Sequence, residues 1–205
     1  RTLNFFVMGC FVDASWRVFR GQRPYLDFIY TTGPVHLYMN AFFFLLFGFG
    51  KWAILAHLVA VHSTVIAVTY AVGRRYLPLW AAFLAALLTT ACFYWPISHP
   101  WYDQSAHFWG ILGAGWLALR LPLSGKREAW WSGVFAGVTV VLSFMSKTNV
   151  GAAYGAAFFF ALAGAERKWQ ALAGYAAGAV GAAGLLMLIV GSPRAYMDQV
   201  FSAYG

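Results

Sequence analysis

The apolar positions of this chain gather into six long stretches that are separated by short polar connectors. Each stretch is about 17 to 21 residues long, close to the ~20 apolar residues that an α-helix needs to cross a hydrocarbon core. We therefore predict an all-α fold, a polytopic transmembrane helix bundle within residues 51–191. The six predicted spans are 52–72, 78–95, 104–121, 129–146, 149–165 and 170–190.

The connectors between these stretches alternate between basic and non-basic, which predicts the orientation of the bundle. Under the positive-inside rule, the basic connectors face the cytoplasm. They contain Arg74 and Arg75, then Arg120 with Lys126 and Arg127, then Arg167 and Lys168. The connector 96–103, the turn at Lys147 and the tail 192–205 would then be extracytoplasmic.

The stretch 34–49 has only 16 residues, and its polar members His36 and Asn40 are four apart, on one face of a helix. It could be a short span or an interfacial helix, and its length and amphipathic character favour the interface. We therefore expect residues 1–50 to form an extracytoplasmic loop with interfacial helices. An earlier helix is needed to carry that loop outside, and the tail SPRAYMDQVFSAYG stops without a terminating signal, so we expect the chain to be a fragment at both ends.

Composition supports a membrane protein, since 61% of residues are hydrophobic, 10% are charged and the mean hydropathy is +0.65. The formal charge of +8 lies beside helix ends, where membrane lipids and orientation explain it without nucleic acid. We expect a multi-pass protein of the cell (inner or plasma) membrane. Small residues spaced four apart predict close helix contacts. These are Gly133 and Gly137, Gly151 and Gly155, and Gly174 and Gly178.

The densest polar segment is the connector SHPWYDQSAHF, which contains His99, Asp103, Gln104 and His107. Asp103 and His107 share a helix face, a geometry that suits a carboxylate with an imidazole as base, or a shared divalent cation. Capping of the helix N-terminus is the structural alternative for Asp103. The segment has no strict metal-ligand spacing, so we assign no metal site.

Lys147, in the turn FMSKTNVG, is nearly the only charge between two apolar helices on the predicted outer side. Charges near a membrane are costly and are usually retained for a reason, such as anion binding, although the side chain could also extend to the interface. His57 and His62 are five apart, and packed neutral histidines are the better reading of both.

The first loop alternates in charge through Asp13, Arg17, Arg20, Arg23 and Asp27, around breaks at glycine and proline. Such a loop can be an ordered lid, or it can be a solvated, charge-balanced helix. We also predict that Asp103 approaches Asp13 or Asp27 across one outer cavity, because paired acids are needed for base or metal chemistry there.

Three ordered segments resemble the C-type polytopic glycosyltransferases, the group that contains protein O-mannosyltransferases and the lipid A aminoarabinose transferase. GQRPYLDF followed by TTGP and LFGFG resembles the family's first extracytoplasmic loop, WYDQSAHFWGILG its acidic helix start, and FMSKTNVG its later outer lysine turn. The resemblance runs through about residues 7 to 170.

The resemblance implies transfer of a sugar from a polyprenyl-phosphate donor to an acceptor glycan, lipid or protein at the outer face. Asp103 would be the second-loop acid, and Lys147 would hold the lipid phosphate. The family's first-loop acid falls at Val7 and Met8, so either Asp13 replaces it in a shifted register or it is missing. Asp13 and Asp103 are thus the catalytic candidates, and Asp27, His99, His107 and Lys147 the substrate-binding ones. A transporter or lipid-handling protein, or a structural membrane subunit, stays open as an alternative.

Overall fold

The computed structural model describes residues 2–93, 102–121 and 125–201, and within these ranges the chain forms α-helices and no strand. The all-α class is therefore confirmed. The helices of the described ranges are α1 (Thr2–Phe19), α2 (Val35–Phe47), α3 (Lys51–Tyr76), α4 (Leu79–Cys92), α5 (Tyr102–Arg120), α6 (Lys126–Phe144), α7 (Thr148–Ala163), α8 (Lys168–Val190) and α9 (Pro193–Phe201).

The six predicted spans correspond in order to α3 through α8, and most of their ends agree within a few residues. Among the described helices, α3 and α8 are long and apolar enough to cross a membrane by length and composition. α2, α4 and α7 are shorter apolar helices. The membrane crossing of all six, and with it the division into loop, bundle and tail, stays a prediction.

The glycine spacing predicts close helix contacts, and α6 and α8 make one with each other. A Cβ atom at Gly137 would lie 2.2 Å from the Tyr175 carbonyl oxygen, and one at Gly178 would lie 2.2 Å from the Val134 oxygen. Since real Cβ atoms do not approach backbone so closely, only glycine allows these two helices to pack at this distance. The predicted contact of these stripes is confirmed.

A chain of buried polar side chains joins the first two helices to the bundle. Asn40 donates to Ser15 Oγ at 3.1 Å, and its Oδ1 accepts from His57 Nδ1 at 2.6 Å. Ser15 in turn donates to the Phe11 carbonyl at 2.7 Å. α1, α2 and α3 are thereby fixed to one another, because breaking any link would leave a buried polar atom without its partner. His57 is a packed histidine, as its sequence context indicated.

The outward faces of the bundle are covered with large apolar side chains. Examples on α4 and α8 are Trp80 (70% exposed), Phe83 (62%), Leu185 (61%) and Leu188 (80%). Contiguous exposed apolar surface of this kind marks contact with a membrane or a partner. The exposed apolar surface of α4 and α8 therefore suits contact with lipid.

Candidate functional site

One cavity, of about 440 Å³, is formed where the first loop meets the turn between α6 and α7. Four parts of the chain line it: the loop before α2, the start of α5, the turn with the beginning of α7, and the end of α9. The lining residues are Thr31, Thr32, Gly33, Tyr102, Ser146, Lys147, Thr148, Asn149, Ala152, Val200 and Phe201.

The loop and the turn touch at Gly33, in the TTGP segment. A Cβ atom here would lie 1.8 Å from the Met145 carbonyl oxygen and 2.9 Å from the Ser146 nitrogen, so no larger residue fits without displacing backbone. Two residues later, the Val35 N–H donates to the same Met145 oxygen at 3.2 Å. This backbone contact fixes one wall of the cavity against the other.

The turn itself presents Lys147 at the start of a helix. The Lys147 N–H donates to the Ser143 carbonyl at 2.9 Å, which closes the end of α6. Lys147 then takes an extended conformation as the N-cap of α7, and its side chain makes no cap hydrogen bond. The N-terminus of α7, with its partial positive charge, therefore opens at the cavity beside the lysine.

Within this site Lys147 forms an ion pair with Asp103. Lys147 Nζ contacts Asp103 Oδ1, and it also lies 5.3 Å from the centroid of the Tyr102 ring. Both charged side chains are about one third exposed, at 32% and 31%. Asp103 lies in the first turn of α5, so a carboxylate at a helix start meets a cation at another helix start. The structure thus joins two of the residues singled out in the sequence.

The two first-loop aspartates make other contacts. Asp13 accepts from Arg17 Nε at 2.8 Å and lines a separate surface cavity with Trp16, Arg17, Arg20 and Gln22. Asp27 accepts from the Arg23 N–H at 2.7 Å and so closes its own turn. Neither residue lines the cavity that contains Lys147. The predicted approach of Asp103 to one of them stays a prediction.

The histidine candidates are distributed differently. His107 lies one turn after Asp103, and its Nδ1 is 3.3 Å from the Tyr154 hydroxyl of α7. His99 lies outside the described residues. Within the described ranges, no group of three or more histidine, cysteine, aspartate or glutamate side chains could hold a metal ion.

An aromatic cluster that sequence reasoning missed backs the cavity. The Phe11 ring of α1 lies 5.4 Å from Tyr102 and 5.2 Å from His36, and His36 Nε2 is 2.6 Å from the Tyr30 hydroxyl. Burial lowers the pKa of His36 to about 3, so the imidazole is neutral. Only the aromatic-rich composition of the loop could have signalled this cluster.

Sequence reasoning also missed the polar wall and the tail helix. Thr31 and Thr32 were visible only as part of the TTGP resemblance, and Asn149 only as part of the lysine turn. Val200 and Phe201 carried no signal, because α9 follows the apolar stretches and its contact with the first loop spans most of the chain. The last two residues belong to the cavity through tertiary packing alone.

Comparison with models of known protein families gives a match over most of the chain. The family model described as dolichyl-phosphate-mannose-protein mannosyltransferase matches residues 31–196. This range includes every residue that lines the cavity except Val200 and Phe201 of α9. Comparisons with curated proteins and with solved structures yield no significant match.

Proposed function

We propose a donor and a direction of transfer for this chain, which belongs to the dolichyl-phosphate-mannose-protein mannosyltransferase family and is therefore a membrane glycosyltransferase. The proposed donor is a polyprenyl-phosphate-linked sugar. The proposed acceptor is a glycan, lipid or protein at the extracytoplasmic face of the cell membrane. The observation that carries the proposal is the meeting of Lys147 and Asp103 at a cavity.

In this proposal the donor phosphate binds at Lys147. The lysine supplies a full positive charge, and the start of α7, where the Lys147 side chain makes no cap hydrogen bond, adds N–H groups and the positive end of the helix dipole. Thr31, Thr32 and Asn149 line the same cavity and can donate further hydrogen bonds. These groups would stabilise the negative charge that grows on the phosphate as the bond to the sugar breaks.

Asp103 is the proposed general base. In the ligand-free site its carboxylate is held by Lys147, and an arriving phosphate would compete for that cation. The carboxylate would then accept the proton of the acceptor hydroxyl while the hydroxyl oxygen attacks the anomeric carbon. Direct displacement of this kind inverts the configuration at that carbon. The proton ends on Asp103, and the lipid leaves as its phosphate.

The first-loop acids Asp13 and Asp27 are not the proposed base. Asp13 is paired with Arg17 and Asp27 with the Arg23 backbone, so we give the base role to Asp103 alone. In this proposal His107, one turn further along α5, would contact the acceptor or the sugar rather than the phosphate.

The test is transfer and donor binding by the full-length protein in lipid nanodiscs, with radiolabelled polyprenyl-phosphate sugars and undecaprenyl phosphate as the binding probe. Lys147→Met should weaken phosphate binding about 10- to 100-fold, the range for a lost charge-assisted hydrogen bond. Lys147→Arg should retain part of the binding, because a cation remains with a different hydrogen-bond geometry.

Lys126→Met is the matched control, since it removes an exposed lysine from the predicted cytoplasmic connector. Wild-type affinity in Lys147→Met would overturn the phosphate assignment. Binding without any transfer by the wild type would instead favour a lipid-handling protein.

A further inference from the structure

The tail helix α9 makes a two-point contact with the first loop through a single side chain. The Gln199 amide accepts from the Tyr30 N–H at 3.0 Å and donates to the Tyr25 carbonyl at 2.8 Å. The two partners are the ends of one turn, and they are 169 and 174 residues away in the sequence. Gln199 thereby closes this turn from outside.

The turn that Gln199 contacts contains an unfavourable backbone conformation at Tyr25. Tyr25 has a φ of 69°, in the left-handed region that side chains other than glycine rarely adopt. Its N–H donates to the Phe28 carbonyl at 3.0 Å, and its ring packs edge-on against Tyr196 of α9 with centroids 5.3 Å apart. Backbone in this region persists only when surrounding contacts hold it, and Gln199 holds its carbonyl.

Tyr25 connects this turn to the cavity. Its side chain is buried, and its hydroxyl donates to the carbonyl of Thr32, which lines the same cavity as Lys147. The path therefore runs from Gln199 through Tyr25 to Thr32. Val200, the next residue of α9, lines the same cavity and is buried with Tyr25 in one apolar cluster.

We infer that Gln199 is a positioning residue for the donor site, which holds the Thr31–Gly33 wall in the geometry that binds the lipid phosphate. This inference rests on the proposed function. α9 then helps to set the geometry of the donor site and does not merely continue the chain after α8. Gln199 itself touches no reacting atom and acts through Tyr25 and Tyr30.

The first test is undecaprenyl phosphate binding by Gln199→Leu in nanodiscs, which keeps the side-chain size but removes both hydrogen bonds. We expect binding about tenfold weaker than wild type, the effect of one or two neutral hydrogen bonds. Asp198→Asn is the matched control, because that carboxylate is exposed on the same helix and pairs only loosely with Arg194, at 3.8 Å. It should bind as the wild type does.

A second variant separates positioning from a general loss of structure. In Gln199→Glu the ionised carboxylate can accept from Tyr30 but cannot donate to Tyr25, whereas the protonated carboxyl can do both. Its affinity relative to wild type at the same pH should therefore recover as the pH falls from about 7.5 to about 4.5. Tyr25 and Tyr30, whose backbone groups contact this amide, and Tyr196, which packs against Tyr25, stay neutral throughout, because burial raises the pKa of each.

The outcomes distinguish the inference from the proposed function. If Lys147→Met weakens binding and Gln199→Leu does not, the inference is wrong and the proposed function stands. If Gln199→Glu shows no recovery at low pH, Gln199 is a structural contact and the inference is also wrong. If Lys147→Met binds like the wild type, the proposed function fails and the inference falls with it. Should Gln199→Leu not fold, the pH profile of Gln199→Glu decides alone.

Discussion

Replacing Asp103 by asparagine should separate binding of the donor from its turnover. In the structure the Asp103 carboxylate forms an ion pair with Lys147, the cation that we propose binds the donor phosphate. Asparagine has nearly the same shape but no charge, so it competes less for the lysine. Asp103→Asn should therefore bind undecaprenyl phosphate more tightly, although it removes the proposed base.

The size of the binding effect follows from the exposure of the pair. Each side chain is about one third exposed, so solvent screens the attraction, and such pairs contribute up to about 1 kcal/mol. Release of that competition corresponds to binding about two- to fivefold tighter. Loss of a general base lowers turnover by about 10²- to 10⁴-fold. The two effects have opposite signs, which a disrupted fold would not produce.

The assay measures undecaprenyl phosphate binding and single-turnover sugar transfer on the same nanodisc preparation. Asp198→Asn serves as the control, since it neutralises an exposed carboxylate outside the cavity. The reasoning is refuted if Asp103→Asn binds the phosphate more weakly than wild type, or if it transfers sugar at the wild-type rate.

Three further predictions concern the supports of the site, each measured by thermal or denaturant unfolding in detergent. Gly33→Ala should cost about 1–3 kcal/mol and weaken phosphate binding, because its Cβ would overlap the Met145 backbone, whereas Gly181→Ala, with nothing within 4 Å, should be neutral or slightly stabilising. Asn40→Leu should cost about 1–3 kcal/mol, because it leaves the buried His57 Nδ1 unpaired and removes the hydrogen bond to Ser15 Oγ, and a loss below about 0.5 kcal/mol would contradict this. Burial lowers the pKa of His36 to about 3, so below about pH 6.5 the unfolded chain binds a proton that the folded chain does not. The free energy of unfolding therefore falls as the pH falls. Between pH 7 and pH 5 the wild type should lose about 2 kcal/mol more than His36→Gln, and equal losses would show that His36 is not buried as a neutral group.

The helical order could be predicted from the sequence because each helix of the bundle carries its own signal. About 20 apolar residues between polar connectors are a local pattern, and α3 and α8 follow it closely. That α6 and α8 each pack closely against another helix was predictable for a similar reason, since Gly137 and Gly178 each belong to a spacing that is visible along one helix.

The site was predictable only in part, because its geometry depends on residues far apart in sequence. Asp103 and Lys147 stood out singly, as charges in apolar surroundings, but nothing in either segment indicated that they pair. Asp13 stood out equally, and the structure gives it a local partner in Arg17 instead. The role of Gln199 was invisible, since a lone glutamine on a short helix has no pattern that marks a partner in the first loop.

The long separation between Gln199 and Tyr30 also sets an order of assembly during biosynthesis. At about 5–20 residues per second, roughly 10 to 30 s of translation separate the synthesis of these two residues. Through that interval the strained turn at Tyr25 has neither the amide of Gln199 nor the ring of Tyr196 to hold it. The cavity is thus completed by α9, and a nascent chain arrested after α8 should have every predicted span of the bundle but no formed donor site.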